Sequence, residues 1–129
     1  MKTSYFGNLK DLKGEKVISI ARGNPKWYFG ETFIELAPTW NMIKNMSEEE
    51  YIEAYNRKLD KLDAGFIYNI LGENSILLCW ERPDDFCHRR LVAKWFENEL
   101  GIVVPEFGIE KKQENEAKKR LRENQLTIL

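Results

Sequence analysis

The stretch from Ser75 to Arg90 constrains the possible fold of this chain more than any other segment does. It begins with an apolar run that ends at Cys79 and continues into a polar segment that starts at Glu81. An amphipathic helix pattern follows, and both cysteines and the single histidine lie within the stretch. A buried strand, a polar loop and a helix start form the arrangement that builds sites in open α/β sheets, at the carboxyl ends of the strands. The sequence therefore predicts where a functional site lies.

A second apolar run, Val17 to Ala21, predicts another strand that is buried on both faces. It ends in a turn signal that begins with Arg22. We expect the strands at 17–21 and 76–80 to be neighbours or near-neighbours. The predicted fold is a single three-layer α/β domain over residues 1–109, with a mostly parallel sheet and helices on both faces. A chain of 129 residues fits one domain with one core.

Two helices have clear signals in the sequence. Ser47 and Glu50 form a capping box, and an apolar stripe at helical spacing follows, with Gly65 as the expected end. Residues 66–71 are read either as a second short helix or as an approach to the central strand. Asp84 or Asp85 is the expected N-cap of the later helix, which runs to about residue 100.

Three connecting segments complete the predicted organisation. Residues 26–46 are read as an aromatic-rich flap near the strand ends, because Gly30 and Pro38 argue against a long regular element. Residues 102–105 predict an edge strand or an extended return, since Pro105 would break a central ladder. Residues 110–129 are expected to form a charged helical or flexible tail with an apolar C-terminal peptide.

Composition excludes some classes of protein. The net charge of −1 gives no global basic field, although a local basic patch is compatible with it. No apolar run approaches the roughly 20 residues that a membrane helix needs, and no signal-peptide core follows Lys2. The two cysteines lack the spacing of a disulfide scaffold, so we expect reduced thiols and a cytoplasmic location.

The start of the later helix is a candidate anion site. Cys87, His88 and Arg89 would lie in its first turn, where unpaired N–H groups and the helix dipole attract negative charge. The planar guanidinium of Arg89 suits phosphate or carboxylate. The alternative is that an arginine pairs with an acidic residue of the preceding loop, Glu81, Asp84 or Asp85.

Glu81 is the best-placed acid or base, with His88 assisting. Cys87 is a candidate nucleophile, because a helix N-terminus beside arginine lowers a thiol pKa. The spacing does not fit a phosphatase loop, in which the arginine lies several residues after the cysteine. The alternative for Glu81 is a structural ion pair with Arg22 or Arg89.

Cys79, Cys87 and His88 also have the chemistry of zinc ligands. No CxxC pair is present, no fourth ligand is evident, and Cys79 fits a small core residue at the end of a strand. The sequence therefore predicts neither a metal nor another cofactor, and a small metal-binding domain stays as an alternative.

The chain resembles the family called domain of unknown function 488 between about residues 15 and 105. The resemblance rests on Ser-Ile-Ala-Arg-Gly-Asn-Pro-Lys-Trp at 19–27, Leu-Ala-Pro-Thr-Trp at 36–40, and Leu-Leu-Cys-Trp-Glu with Phe-Cys-His-Arg in the central stretch. It implies a small cytoplasmic α/β domain with a polar site and no established activity. The positions that carry the family signature are Arg22, Lys26, Cys79, Glu81, Cys87, His88 and Arg89.

The last five residues, Gln125-Leu126-Thr127-Ile128-Leu129, resemble the short peptide by which bacterial DNA repair and replication proteins bind the sliding clamp. Gln125, Leu126, Ile128 and Leu129 would fill pockets on the clamp after a solvated linker. The alternative is a last strand or a tail that covers apolar surface.

The leading functional hypothesis is an enzyme that acts on a phosphate-bearing, nucleotide-like or nucleic-acid substrate, with a link to DNA repair or replication. Trp27 and Trp40 would stack on a base or sugar, or else belong to the core. The residues expected to hold the anion are Arg22, Lys26 and Arg89. The alternatives are a non-catalytic module recruited through its C-terminal peptide and a small metal-binding domain.

Overall fold

A computed structural model describes residues 1–80 and 86–128, with the backbone alone described at 110, 111, 113, 114 and 124–128. Within this part of the chain, four strands form one all-parallel sheet in the order β1-β4-β2-β3. The strands are β1 (Lys2–Tyr5), β2 (Lys16–Ser19), β3 (Glu31–Thr32) and β4 (Ser75–Cys79).

Helices surround this sheet, which confirms the predicted α/β class. They are α1 (Trp40–Asn45), α2 (Glu48–Asp60), α3 (Ala64–Leu71), α4 (His88–Leu100) and α5 (Glu110–Ile128), with 3₁₀ helices at Phe6–Leu12 and Ile34–Leu36. Among the described residues, no helix combines the length and the apolar character needed to span a bilayer.

Strand β4 lies at the centre of the sheet, and all five of its residues are buried. It pairs with β1 on one side and with β2 on the other, where Val17 lies opposite Ile76 and Ser19 opposite Leu78. The prediction that these two apolar runs are neighbouring strands is therefore confirmed. Burial on both faces explains why their sequences are apolar runs rather than alternating patterns.

The two faces of the sheet are covered differently. On one face, Ile18 and Leu77 pack with buried side chains of α2, α3 and α4 in the larger core cluster. On the other face, Ile76 and Leu78 pack against Phe6 and Leu12 of the first 3₁₀ helix in a smaller cluster. The second covering layer is thus formed by a 3₁₀ helix and loops.

Strand β1 has no apolar pattern that would predict it, because its residues are mostly polar. Thr3 and Ser4 are nevertheless fully buried. Thr3 Oγ1 donates to Glu106 Oε1 at 2.6 Å, and Ser4 Oγ accepts from Asn8 Nδ2 at 3.2 Å. Beside β1, residues 102–105 form the extended return rather than an edge strand, with one isolated bridge between Thr3 and Glu106.

The capping box of α2 is present, with Ser47 and Glu50 bonding reciprocally. The expectation that Gly65 ends this helix is wrong. The helix ends at Asp60, and the Asp63 carboxylate accepts from the Phe66 N–H at 3.0 Å to start α3, so that Gly65 lies inside a second helix. The segment at 26–46 is also more regular than predicted, since it contains β3 and α1.

Helix α5 is attached to the domain through α4. Ala117 is buried, and the Arg120 guanidinium lies 2.7 Å from the carboxylate of Glu97, which is itself almost fully buried. Glu97 also accepts from the Val104 N–H at 2.9 Å. The tail is therefore helical, and its middle section packs against the body of the protein.

A buried ion pair connects α4 to the chain after the return segment. Arg89 donates from Nε to Glu106 Oε1 and from Nη2 to Glu106 Oε2, both at 3.0 Å, in a bidentate arrangement. The two side chains are 0% and 1% exposed. Buried charges are tolerated only when they are paired and hydrogen-bonded, so each residue of this pair needs the other.

Replacing Glu106 with Gln should therefore destabilise the protein by about 3 kcal/mol, because it removes the charge of one member of a buried, bidentate ion pair. Urea unfolding followed by circular dichroism measures the change. The matched control is Glu53→Gln, which removes the partner of Arg57 in an ion pair whose side chains are 72% and 68% exposed. That change should cost about 0.5 kcal/mol or less. Equal losses for the two variants would contradict a structural role for the Arg89–Glu106 pair.

Candidate functional site

A cavity of about 560 Å³ opens at the carboxyl ends of β2 and β4. Four parts of the chain meet there: residues 21–24 after β2, residues between 38 and 51 in α1 and at the start of α2, Cys79 and Trp80 at the end of β4, and residues 86–88 at the start of α4. The cavity lies at the sheet edge where the strand-loop-helix pattern predicts a site. Arg22, Cys87 and His88, expected from the sequence to belong to one site, all line it.

Aromatic side chains form much of the cavity wall. Trp40 and Tyr51 come from α1 and α2, and Trp80 and Phe86 come from the two ends of the loop between β4 and α4. Trp80 Nε1 donates to the Gly23 carbonyl at 2.6 Å, which ties the end of β4 to the turn after β2. Phe86 meets Tyr51 edge to face at 5.1 Å between ring centroids.

Arg22 supplies a positive charge to this wall. Its Nε donates to the Pro38 carbonyl at 2.7 Å, so the backbone after the second 3₁₀ helix holds the guanidinium in place. Lys58 of α2 lies nearby and donates to the Ala37 carbonyl. Burial lowers the pKa of Lys58, and the positive charge of Arg22 lowers it further. Glu48 and Ser47, at the start of α2, complete the polar part of the lining.

His88 is buried at the inner end of the cavity with a defined tautomer. Its Nε2 lies 2.6 Å from the Ile20 carbonyl oxygen, which can only accept, so Nε2 carries the hydrogen. In the neutral ring, Nδ1 then presents a lone pair, and it lies 3.7 Å from Cys87 Sγ. Tyr55 packs against the imidazole edge to face at 5.4 Å. The backbone of β2 therefore sets which nitrogen of His88 is available for chemistry.

Burial lowers the pKa of His88 to about 4. The hydrogen bond to the Ile20 carbonyl opposes this shift, whereas the positive charges of Arg89 and Lys58 reinforce it. The ring is therefore neutral at physiological pH and can accept a proton or bind a metal through Nδ1. His88 therefore does not supply a positive charge to an anion bound at this position.

The two cysteines meet at the same place. The structure records Cys79 and Cys87 as a disulfide, whereas the sequence led us to expect reduced thiols. Arg89 Nη1 donates to Cys79 Sγ at 2.9 Å, and Cys87 occupies the N-cap position of α4. The two sulfur atoms and a ring nitrogen of His88 lie within 4.8 Å of one another, the one such grouping of potential metal ligands among the described residues.

Arg89, expected from the sequence to hold an anion, is not among the residues that line the cavity. Its side chain is fully buried beneath the cavity, and its guanidinium bonds to Glu106 and Cys79. Helix α4 begins at His88, with Cys87 as its N-cap, so Arg89 is turned into the core by the helix rather than toward the cavity. The sequence could not distinguish these orientations, because the partner of Arg89 is distant in the chain.

Lys26 and Trp27 also lie outside the cavity. Lys26 is exposed. Trp27 is 56% exposed and contacts Phe6 edge to face at 6.4 Å, on the side of the sheet covered by the 3₁₀ helix. Of the two tryptophans proposed to stack on a ligand, only Trp40 lines the cavity.

Several predicted residues lie outside the described part of the chain. Glu81, the expected acid or base, and Asp84 and Asp85, the expected N-caps, belong to the undescribed loop at 81–85. Gln125, Leu126 and Ile128 lie in α5 with their backbone alone described, and Leu129 lies beyond it. The N-cap prediction is wrong, because Cys87 is the N-cap of α4. The other proposed roles of these residues stay predictions.

Part of the cavity wall has no signal in the sequence. Tyr51 belongs to the apolar stripe of α2, and no motif marks Trp80 or Phe86 as ligand contacts. Their place in the cavity lining depends on the fold and cannot be read from periodicity. The one available signal was the abundance of aromatic residues, 12% of the chain.

Comparisons with family models, curated proteins and solved structures found no match to this chain. The resemblance to domain of unknown function 488 therefore stays a prediction that rests on the motifs quoted above.

The buried, neutral state of His88 predicts how acid affects folding. In the unfolded chain the imidazole has a pKa of about 6.5, so it takes up a proton as the pH falls, while the folded chain resists protonation down to about pH 4. This contribution to stability is fully present above about pH 6.5 and is lost as the pH falls to about 4, with a total of about 3 kcal/mol.

The free energy of unfolding between pH 4 and 7.5, measured in the presence of a chelator, checks this expectation. His88→Gln removes the titrating group but retains an amide that can donate to Ile20, so its pH profile should be flatter than that of the wild type over this range. Parallel profiles for the two proteins would contradict the assignment.

Proposed function

We propose that this protein binds a small anionic ligand with a planar ring, of the nucleotide class, in the cavity at the carboxyl ends of β2 and β4, and acts on it as an enzyme. The observation that carries this proposal is the combination of an aromatic wall with Arg22 in a single cavity.

The size of the cavity favours a small molecule over a nucleic-acid duplex. About 560 Å³ falls within the roughly 300–1,000 Å³ typical of small-molecule sites. The net charge of −1 offers no general attraction to a polyanion. A single nucleotide or a nucleobase derivative fits both facts, and a flipped-out or single-stranded base would use the same contacts.

The aromatic wall is suited to a planar ring. Trp40 and Trp80 are 54% and 53% exposed, so both present accessible indole surface beside the cavity. Exposed aromatic faces of this size stack on any base, whatever hydrogen-bond donors and acceptors the base carries. This explains why residues that are usually buried stay accessible at this edge of the sheet.

Arg22 is the anion contact in this proposal. Pro38 fixes its Nε, and the rest of the fork stays within the cavity wall, where a phosphate or carboxylate can accept from it. The N–H groups at the start of α4, which border the cavity beside His88, add the positive end of a helix dipole. In this proposal the anion is bound by Arg22 and the start of α4, whereas the sequence predicts Arg22, Lys26 and Arg89.

For catalysis, neutral His88 supplies a base with a lone pair on Nδ1 next to Cys87. Glu81 would share this work, as the sequence suggests, from the loop that joins β4 to α4. In this assignment His88 and Glu81 transfer protons, whereas Arg22 only binds the anionic group of the ligand.

Binding of nucleoside monophosphates, measured by tryptophan fluorescence and calorimetry, tests the site. Trp40→Ala should weaken binding about ten-fold through lost stacking, and Arg22→Gln should weaken binding of phosphorylated ligands more than that of the free nucleosides. The matched control is Trp27→Ala, since Trp27 is equally exposed but lies outside the cavity. The same loss of affinity in Trp40→Ala and Trp27→Ala, or no binding by the wild type, would contradict the proposal.

A second candidate function is recruitment to a sliding clamp through residues 125–129, which would link the protein to DNA repair or replication. The anchor of α5 at Ala117 and Arg120 supports it, because the C-terminal residues lie beyond that point of attachment. Capture by an immobilised clamp should be lost when Leu126 and Leu129 are changed to Ala and kept when Leu121 is changed. Undiminished capture by the double variant would rule this function out. A cytoplasmic location accords with either function.

A further inference from the structure

We infer that Cys79, Cys87 and His88 form a zinc site at the inner end of the cavity, with Cys79 Sγ, Cys87 Sγ and His88 Nδ1 as ligands. Two thiolates and an imidazole are the donor set that zinc prefers. The three residues come from the end of β4 and the start of α4, and all are buried. The site does not need the ligand proposed for the cavity, but zinc binding would occupy the Nδ1 lone pair proposed above as a base and would leave that role to Glu81.

One pair of donor atoms already has the separation that a tetrahedral ion requires. With Zn–S of about 2.3 Å and Zn–N of about 2.0 Å, neighbouring ligand atoms lie about 3.6–3.8 Å apart. Cys87 Sγ and His88 Nδ1 are 3.7 Å apart, and a ring nitrogen of His88 lies within 4.8 Å of both sulfur atoms. The two sulfur atoms are joined as a disulfide in this structure, so they must be reduced and must separate before an ion can lie between them.

The backbone separation of the cysteines also favours an ion between them. Their Cα atoms are 7.2 Å apart. Disulfides usually span about 4.4–6.8 Å between Cα atoms, and a larger separation requires backbone movement. Two thiolates that bind the same metal ion do not require so short a Cα–Cα distance, because the ion lies between the sulfur atoms.

The surroundings of each ligand match those of metal sites. His88 donates its Nε2–H to the Ile20 carbonyl, which fixes the ring and leaves Nδ1 as the donor to a metal. Arg89 donates to Cys79 Sγ at 2.9 Å, and Cys87 lies at a helix N-terminus, so both sulfur atoms are placed to be thiolates. The charges of zinc, two thiolates, Arg89 and Glu106 sum to zero, which makes such burial tolerable.

Three protein ligands leave a fourth coordination position, and the cavity reaches all three ligand residues. That is the arrangement of catalytic rather than structural zinc, where water or substrate occupies the fourth position. The disulfide is then the oxidised form of the site. Two molecules of a thiol reductant supply two electrons and two protons, the S–S bond breaks, and the reductant leaves as its own disulfide. Binding of Zn²⁺ to the resulting thiols releases their two protons to solvent.

The test is zinc analysis of the full-length protein after reduction with a phosphine, addition of Zn²⁺ and removal of unbound metal. The wild type should keep one zinc per chain. Cys79→Ser, Cys87→Ser and His88→Gln should each lose most of it, and the glutamine amide can still donate to Ile20. The matched control is Glu48→Gln, which changes a carboxylate of the cavity lining outside the ligand set and should keep the zinc.

Because the serine variants could fail to fold, the wild type is also loaded with Co²⁺ and examined by absorption spectroscopy. Coordination by the two cysteines should give intense thiolate-to-cobalt charge-transfer bands in the near ultraviolet. Absence of these bands, or zinc retention unchanged in all three ligand variants, would overturn the inference. A folded wild type that retains no zinc after complete reduction would overturn it as well, while leaving nucleotide binding to be judged by Trp40→Ala.

Discussion

The position of Arg89 is the constraint on which the rest of the site depends. Its guanidinium is fully buried, where it pairs with Glu106 and donates to Cys79. A charge in this environment cannot lose its partners without a large cost, so the start of α4 is held against the end of β4 and the segment after Pro105. Cys87 and His88, the two residues before Arg89, are thereby brought to the edge of the sheet. A residue expected to bind substrate instead positions those that line the cavity.

A second fixed contact sets the chemistry of the cavity. The Ile20 carbonyl, just beyond β2, accepts from His88, and the parallel pairing of β2 with β4 places that carbonyl beside the end of the central strand. The same edge carries Arg22 and Trp80, which the strands present to the cavity. The same backbone hydrogen bonds therefore position the ligand-binding surface, the His88 ring and the two cysteine sulfur atoms. This common support is why the proposed nucleotide pocket and the proposed zinc site lie next to each other, although the nucleotide contacts, Trp40 and Arg22, are not zinc ligands.

Local patterns predicted much of this architecture. The apolar runs at 17–21 and 76–80 identified two neighbouring strands, and Ser47 with Glu50 identified the start of α2. Polar β1 could not be predicted, because its buried Thr3 donates to Glu106, a residue 103 positions away that only the fold brings near. A cavity lies at the edge of the sheet where the sequence predicts a site, yet the burial of Arg89 against Glu106 was not predictable, because the two residues are 17 positions apart in the chain. Distant partners decide which charged residues face a cavity, and a single sequence does not encode them in a readable pattern.

The fold presents His88 as a neutral ring, protonated at Nε2, with Nδ1 directed to Cys87. It is the only histidine in the chain, so its ring nitrogens can be assigned without ambiguity in a two-dimensional ¹H–¹⁵N spectrum optimised for imidazole couplings. For the reduced, metal-free protein at pH 7, we predict the Nε2–H tautomer of a neutral ring. An imidazolium, or a ring protonated at Nδ1, would contradict it.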